Sequence, residues 1–481
     1  MGLFSYLDWV IVILSLVLTA GAGYAVRKYV GKLSDYLVAE RGMGMWVGTA
    51  SLVSTEIGII TYVYFAELGY AAGFSAFVIA LIAGIAAYCV GRTGFVIKHL
   101  RELEIMTIPE YIQKRYTRGV RMLAGCLMAF GGALNLGIFP KLEASFLNIV
   151  LGIRMEHLPV TMAVLLTVVL VYTAAGGMVS LIVTNYIQYV LLSIATVVVT
   201  VVVLYSVGLS KIANAVHVHM GSTGFNPFTS HELGTAFIIW QVAISFASMT
   251  TWQSIAMRSF SSKDTATGKK MFSLTSILFV GRGVIPMLWG VAALAFFGSH
   301  MNHKDALAHL LATILPHGLL GLMVAGMLAA SLSTYSGYLL AWSSIISQDI
   351  VTPLLRRQLS EKGKLLLTRI TVICLTVFIM IWSLVYKVPG PAYFYLNVTA
   401  DLFMAATFIS IVAGVYWKRS STLGAYLSFI FGAIGAFTFF LHISPISAGL
   451  CSFGFAVVGQ WAGSMLRPNR RVTVSKEGVR A

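Results

Sequence analysis

Stretches of about twenty apolar residues recur from Trp9 to Leu466, and no other feature limits the possible folds of this chain as strongly. A hydrocarbon core of about 30 Å takes about twenty apolar residues per helix. Of 481 residues, 58% are hydrophobic and only 10% charged, with a mean hydropathy of +0.86. No water-soluble domain of this size carries that balance. Lipid admits only helices and closed barrels, and a barrel would show short alternating strands. The expected fold class is therefore all-α: a polytopic membrane protein with about thirteen transmembrane helices. The spans are placed at about 6–26, 44–68, 73–92, 120–140, 158–175, 183–208, 234–257, 272–298, 318–346, 366–386, 394–416, 422–441 and 446–466. The first lacks a basic leader and is too long for a signal peptide, so it reads as a retained helix.

An odd number of spans puts the termini on opposite sides, and the basic residues say which. Most of the 33 Lys and Arg fall in alternate segments: Arg27 to Arg41, Arg92 to Arg121, Arg258 to Lys270, Arg356 to Arg369, Lys418 with Arg419, and Arg467 to Arg480. The positive-inside rule then predicts an N-out/C-in topology. It also makes the net charge of +16 topological, so no nucleic acid is expected as a partner. The expected setting is the lipid bilayer of a plasma membrane, a bacterial inner membrane, with the chain multi-pass and a monomer or weak oligomer. Cys89, Cys126, Cys374 and Cys451 lie in or beside apolar spans without a CxxC pair, which predicts packing residues rather than disulfides or a metal site.

The longest segments outside the spans, about 93–119, 209–233 and 299–317, are too short for a soluble domain, and no GxxxxGK[ST] loop occurs. Energy for transport would have to come from an ion gradient. Spans one, five, six and ten are rich in Leu, Val and Ile, whereas the second, seventh and ninth are rich in small and hydroxyl residues. Small residues permit close helix packing, and paired interrupted helices also build midplane sites in inverted-repeat transporters. The second and seventh spans are five apart and equally polar. They are candidates for equivalent broken helices in a five-plus-five inverted-repeat core. The corresponding organisation is a single transmembrane domain over 1–481: an additional helix and inner loop at 1–43, a first repeat at 44–208, a second at 232–418, two additional helices at 419–466, and a basic cytoplasmic tail at 467–481.

In the ninth span, Ala330, Ser333 and Thr334 stand at i, i+3 and i+4 and share a helix face. Sodium is a hard cation that wants about five oxygens; two hydroxyls and a carbonyl supply three. Six stretches, in order, resemble the sodium:solute symporter family: "DYLVAERGMGMWVGTASLVSTEIG", "TIPEYIQKRY", "YTAAGGMVSLIVTNYIQ", "WQSIAMRSFSSKDT", "AASLSTYSGYLLAWSSIISQDI" and "YWKRSSTLGA". The resemblance implies a sodium site made of the Ser333 and Thr334 hydroxyls with the carbonyls of Ala330, Ser54 and Ile57. It also aligns Glu56 with an acidic residue of the proline-transport branch, nearer the amino-acid than the sugar branch. Asn185 stands where the family often has an aspartate tied to a further sodium position.

Charges within spans are expensive and mark function. Arg282, between Gly281 and Gly283, either holds a substrate carboxylate or belongs to an ion pair with Glu56 or Asp401. Asp401 is expected at the outer mouth, in contact with water. Asn135, Gln241, Trp252 and Gln253 are candidate substrate contacts, with polar packing the rival reading. His300, His303, His309 and His317 are spaced too loosely for a metal site and are expected to be solvated. The expected function is a non-enzymatic secondary active transporter that carries a small organic solute, amino acid or carboxylate-like, with Na+ as the coupled ion. The alternatives are H+ coupling through Glu56, or a non-transporting sensor or scaffold with the same fold.

Overall fold

A computed structural model describes residues 4–26, 41–355, 359–468, 473–475 and 478–480. Arg27, Lys28, Lys32, Arg356, Arg357, Arg470, Arg471 and Lys476, used above for orientation, lie outside them. Each apolar run is helical, as it must be where lipid offers the backbone no hydrogen-bond partner. The helices that matter below are α1 (Tyr6–Val26), α2 (Met45–Thr55), α3 (Ile59–Ala72), α4 (Phe77–Thr93), α5 (Ile108–Arg115), α6 (Arg118–Leu136), α7 (Phe139–Leu151) and α8 (Leu158–Val207). They continue with α9 (Gly234–Thr251), α10 (Gln253–Ser261), α11 (Thr265–Phe297), α12 (Leu319–Ile345), α13 (Glu361–Val385), α14 (Ala392–Tyr416), α15 (Thr422–Phe437) and α16 (Pro445–Leu466). Ten helical stretches among the described residues are long and apolar enough to cross a membrane. Beyond α16 the only strands described are Thr473–Ser475 and Gly478–Arg480, paired antiparallel.

The expected boundaries fail in two informative places. The fourth span does not end near 140: after a turn at Gly137 and Ile138 the chain re-enters α7, with Pro140 in its first turn, where a missing N–H costs nothing. The fifth and sixth spans, expected as two, run as one helix, α8. Thr173 donates to Ser336 at 2.8 Å and Asn185 accepts from Ser333 at 2.7 Å, so α8 packs against α12 on both sides of the expected junction. The seventh span is broken as expected, at a single extended residue, Trp252 (φ −66°, ψ 114°), between α9 and α10.

The core is continuous across the bundle, with α12 buried along almost its whole length. Close packing is carried by glycines. A Cβ on Gly69 would overlap the Met287 carbonyl, and one on Gly290 would overlap the Ala66 carbonyl, so α3 and α11 touch backbone to backbone. At the start of α11, Asp264 accepts from the Thr267 N–H at 2.7 Å, and that bond holds its carboxyl below the usual aspartate value. All four cysteines are free, but Cys126 and Cys374 are exposed rather than packed inside. His303 and His317 are likewise not merely solvated: they bond to the fully buried carboxylates of Glu67 at 2.7 Å and Asp8 at 3.3 Å.

Candidate functional site

The site is built around the interruption between α2 and α3. Glu56 (φ −96°, ψ 8°) stops α2, and Gly58 (φ −135°, ψ −179°) is extended before α3 begins. An interrupted helix exposes backbone groups that must find partners. Here the Ile59 N–H donates to the Ser331 hydroxyl at 2.9 Å, and the Ile60 N–H to Glu143 Oε1 at 3.2 Å. The Gly58 N–H reaches the Thr61 hydroxyl at 3.2 Å, and that hydroxyl donates to the Glu56 carbonyl at 3.3 Å.

Helix α12 faces this break. The Ser54 hydroxyl donates to Ser333 Oγ at 3.1 Å, and the Thr334 hydroxyl donates to the Ala330 carbonyl at 3.1 Å. A Cβ on Gly58 would stand 3.0 Å from Thr334 Oγ1, so the glycine lets the interruption approach that hydroxyl. Ser54 thus meets Ser333 and the break at Gly58 meets Thr334, and Ser54, Ile57, Ala330, Ser333 and Thr334 are all buried. Such a set of carbonyl and hydroxyl oxygens suits a hard monovalent cation.

Asn185 lies behind this set and not in the cavity beside it. Its Oδ1 accepts from Ser333, and its Nδ2 donates to Ser51 Oγ at 3.3 Å and Thr55 Oγ1 at 3.1 Å. The Thr55 hydroxyl also accepts from Arg258 Nη2 at 2.6 Å. Arg258 is fully buried and bonds otherwise to the Ser254 carbonyl and hydroxyl. The sequence reading had placed it in an inner loop.

On the other side of the break is a cavity of about 130 Å³, lined by Glu56, Asn135, Gln241, Trp252, Arg282 and Thr334, with Tyr64, Tyr338, Tyr393 and Asn397 among the other polar groups. Glu56 Oε2 accepts from the Tyr338 hydroxyl at 2.7 Å, while Oε1 is buried without a partner. Arg282 is not ion-paired with Glu56 or Asp401. Its Nη1 donates to the Glu56 backbone carbonyl at 2.6 Å, and its guanidinium lies 4.1 Å from the centre of the Phe279 ring. Asn135 donates to the Leu396 carbonyl at 2.6 Å, and Gln241 accepts from the Tyr393 hydroxyl at 2.7 Å. Trp252 stacks on Phe403 at 6.0 Å and meets Tyr338 edge-on at 5.4 Å.

Two candidates fall elsewhere. Gln253 accepts from the Ile108 N–H at 3.0 Å and donates to the Met106 carbonyl at 3.3 Å, so it ties α10 to the start of α5 and is absent from the cavity lining. Asp401 is fully buried, not at a wet mouth. Its Oδ2 accepts from the Trp240 indole at 2.7 Å. The sequence reading also missed Glu143, whose carboxylate is fully buried against the break. The signal is present as a lone acid in "FPKLEASFLNIV", just past the end of the fourth expected span near 140.

The model of the sodium:solute symporter family matches residues 36–432. The chain is 25% identical to sodium/glucose cotransporter 4 of Danio rerio, over 88% of this chain and 70% of that protein. It is also 25% identical to the osmoregulated proline transporter OpuE of Bacillus subtilis, over 85% of this chain and 84% of that protein. A solved Na+-coupled sialic acid symporter, in a substrate-bound outward-open state, has the same fold: TM-score 0.85 at 19% identity, covering 98% of this chain and all of that one.

Proposed function

The chain belongs to the sodium:solute symporter family, and from that premise we propose that it is a secondary active transporter moving a small organic solute into the cell with sodium. The observation that carries the reading is the meeting of the interrupted α2–α3 segment with Ser333 and Thr334 on α12. Sodium is held by the two hydroxyls and by the carbonyls of Ser54, Ile57 and Ala330. Asn185 is a neutral amide closed by its own hydrogen bonds, which supports one sodium per cycle. Each co-transported charge draws about 2.3 kcal/mol from every 100 mV of membrane potential.

The solute occupies the cavity, where Arg282 offers unused guanidinium N–H groups, Glu56 an unpartnered oxygen, and Asn135, Gln241 and Trp252 polar and aromatic contacts. This favours an amino acid or a carboxylate-like solute. The repeats over 44–208 and 232–418 rock about the site in a bacterial inner membrane, N-out and C-in, with 1–43, 419–466 and 467–481 as additions. A second reading, proton coupling through Glu56, is favoured by one observation: its carboxylate has a tyrosine partner but no ion pair.

A thermal-shift screen of amino acids and organic acids, each with and without sodium, identifies the solute, since a ligand stabilises the fold it binds. Uptake of that solute into proteoliposomes is then measured under an imposed sodium or pH gradient. Sodium-driven accumulation is expected. Accumulation driven by the pH gradient alone selects the second reading, and no gradient-dependent uptake of any solute refutes both.

A further inference from the structure

Glu143 on α7 has no part in the sodium and solute contacts described above. Its carboxylate is fully buried. Oε1 accepts from the Ile60 N–H at 3.2 Å and the Ser331 hydroxyl at 3.0 Å. Oε2 has no partner in hydrogen-bonding geometry and faces the Tyr335 hydroxyl. Ser331 in turn accepts from the Ile59 N–H. One side chain therefore ties the first turn of α3, directly after the break, to the residue of α12 that follows Ala330.

A carboxylate away from water needs a cation or a proton. No cation stands opposite this one among the described residues. Helix α12 contributes Tyr335 and Tyr338 but no charged residue, and 158–170 of α8 contributes none. On α3 the only ionisable side chains besides tyrosines is Glu67, which is bonded to His303 and the Ala392 N–H. His309 of the Ala306–Ile314 helix is exposed, as are Glu156 and His157 before α8. The charges of α13, Glu361, Lys362, Lys364 and Arg369, are confined to its first three turns. Lys141 on α7 is partly exposed, and Arg282 is engaged by the Glu56 carbonyl.

We propose that Glu143 is a proton-binding site linked to the sodium position, such that a proton on Glu143 and sodium at the α2–α3 break disfavour one another. The inference rests on the sodium reading above. Deprotonated, Glu143 places a negative charge against the first turn of α3 and holds Ile60 and Ser331 in register with the sodium oxygens. Protonated at Oε2, it loses that charge and donates to Tyr335. Sodium binding returns the proton to solvent, one at most per sodium. Linkage is reciprocal: protonation weakens sodium binding by the factor by which sodium weakens protonation.

The test titrates the full chain in lipid nanodiscs with sodium chloride, replacing choline chloride at constant ionic strength, and follows tryptophan fluorescence from mildly acidic to mildly basic pH. Half-saturating sodium is expected to rise as pH falls, by up to about tenfold per pH unit where Glu143 titrates, and to be independent of pH in E143Q. In the wild type, sodium should also erase an infrared C=O stretch of a protonated carboxyl, and E143D should shift that band, which decides the matter if E143Q does not fold. A pH slope that persists in E143Q, a wild type that binds sodium without a pH slope, or a band unmoved in E143D overturns the proposal alone. No sodium response at any pH overturns it together with the sodium reading.

Discussion

Thr334 gives the most direct measure of the proposed cation site. Its hydroxyl is 2% exposed as a residue on α12, bonded to the Ala330 carbonyl and facing Gly58 across the break. Valine has the same shape without the oxygen, so on the proposed placement Thr334→Val removes one of about five oxygens around sodium and opens no cavity. A contact between a hydroxyl and a charged partner is worth about 1.5–3 kcal/mol. Half-saturating sodium should therefore rise by roughly ten- to 150-fold. The hydrogen bond to Ala330 is lost in the free and loaded states alike, so its contribution of about 1 kcal/mol appears in thermal stability and not in affinity. Thr334→Ser keeps the oxygen and should stay near the wild type in affinity. Sodium titration by tryptophan fluorescence, together with the sodium dependence of uptake, measures both. A Thr334→Val protein that folds and retains wild-type half-saturation would refute the placement of the ion.

Two further substitutions probe the surroundings. Asn185→Asp puts a carboxylate where an amide now donates to Ser51 and Thr55; the expected outcome is a sodium response with a Hill coefficient above one, and a coefficient unchanged from the wild type counts against a latent second position. Gly290→Ala drives a methyl into the Ala66 carbonyl, and overpacking of this kind costs about 1–3 kcal/mol. Thermal unfolding in detergent should show a lower midpoint than the wild type, and an unchanged midpoint would mean that α3 and α11 separate freely.

The sequence makes the helix faces legible and marks the second and seventh spans as broken, but not the direction the chain takes after each break. Ala330, Ser333 and Thr334 could be placed together because an uninterrupted helix repeats every 3.6 residues, and α12 is uninterrupted there. Gln253 could not. Trp252 is extended, so α10 starts in a new direction, and neighbours in sequence part company: Trp252 lines the cavity while Gln253 holds the start of α5. Asp401 shows a related limit. It follows Ala400, which lines the cavity, but one residue turns the face by about 100°, and its carboxylate meets Trp240 on α9 instead. Hydropathy marks a charge as costly without saying whether water or protein receives it.

That limit explains why the sequence puts Arg258 in a loop and passes over Glu143, and it connects both to the residues that the sequence does mark. Four ionisable side chains converge on the few residues between Thr55 and Ile60: Glu56 within the break, Arg282 on its carbonyl, Arg258 on the Thr55 hydroxyl and Glu143 on the Ile60 N–H. None of the four makes a salt bridge with another. Arg282 and Glu143 are instead spent on backbone groups that the interrupted helix leaves open in a medium without water, while Arg258 and Glu56 bond side-chain hydroxyls beside it. With Glu143 deprotonated the two acids and two bases balance in formal charge, whereas a proton on Glu143 leaves one net positive charge around the break that opposes an arriving cation. A site that must release its cation on every cycle is better served by the proposed hydroxyl and carbonyl oxygens, with a nearby charge that a proton can remove, than by a carboxylate ligand.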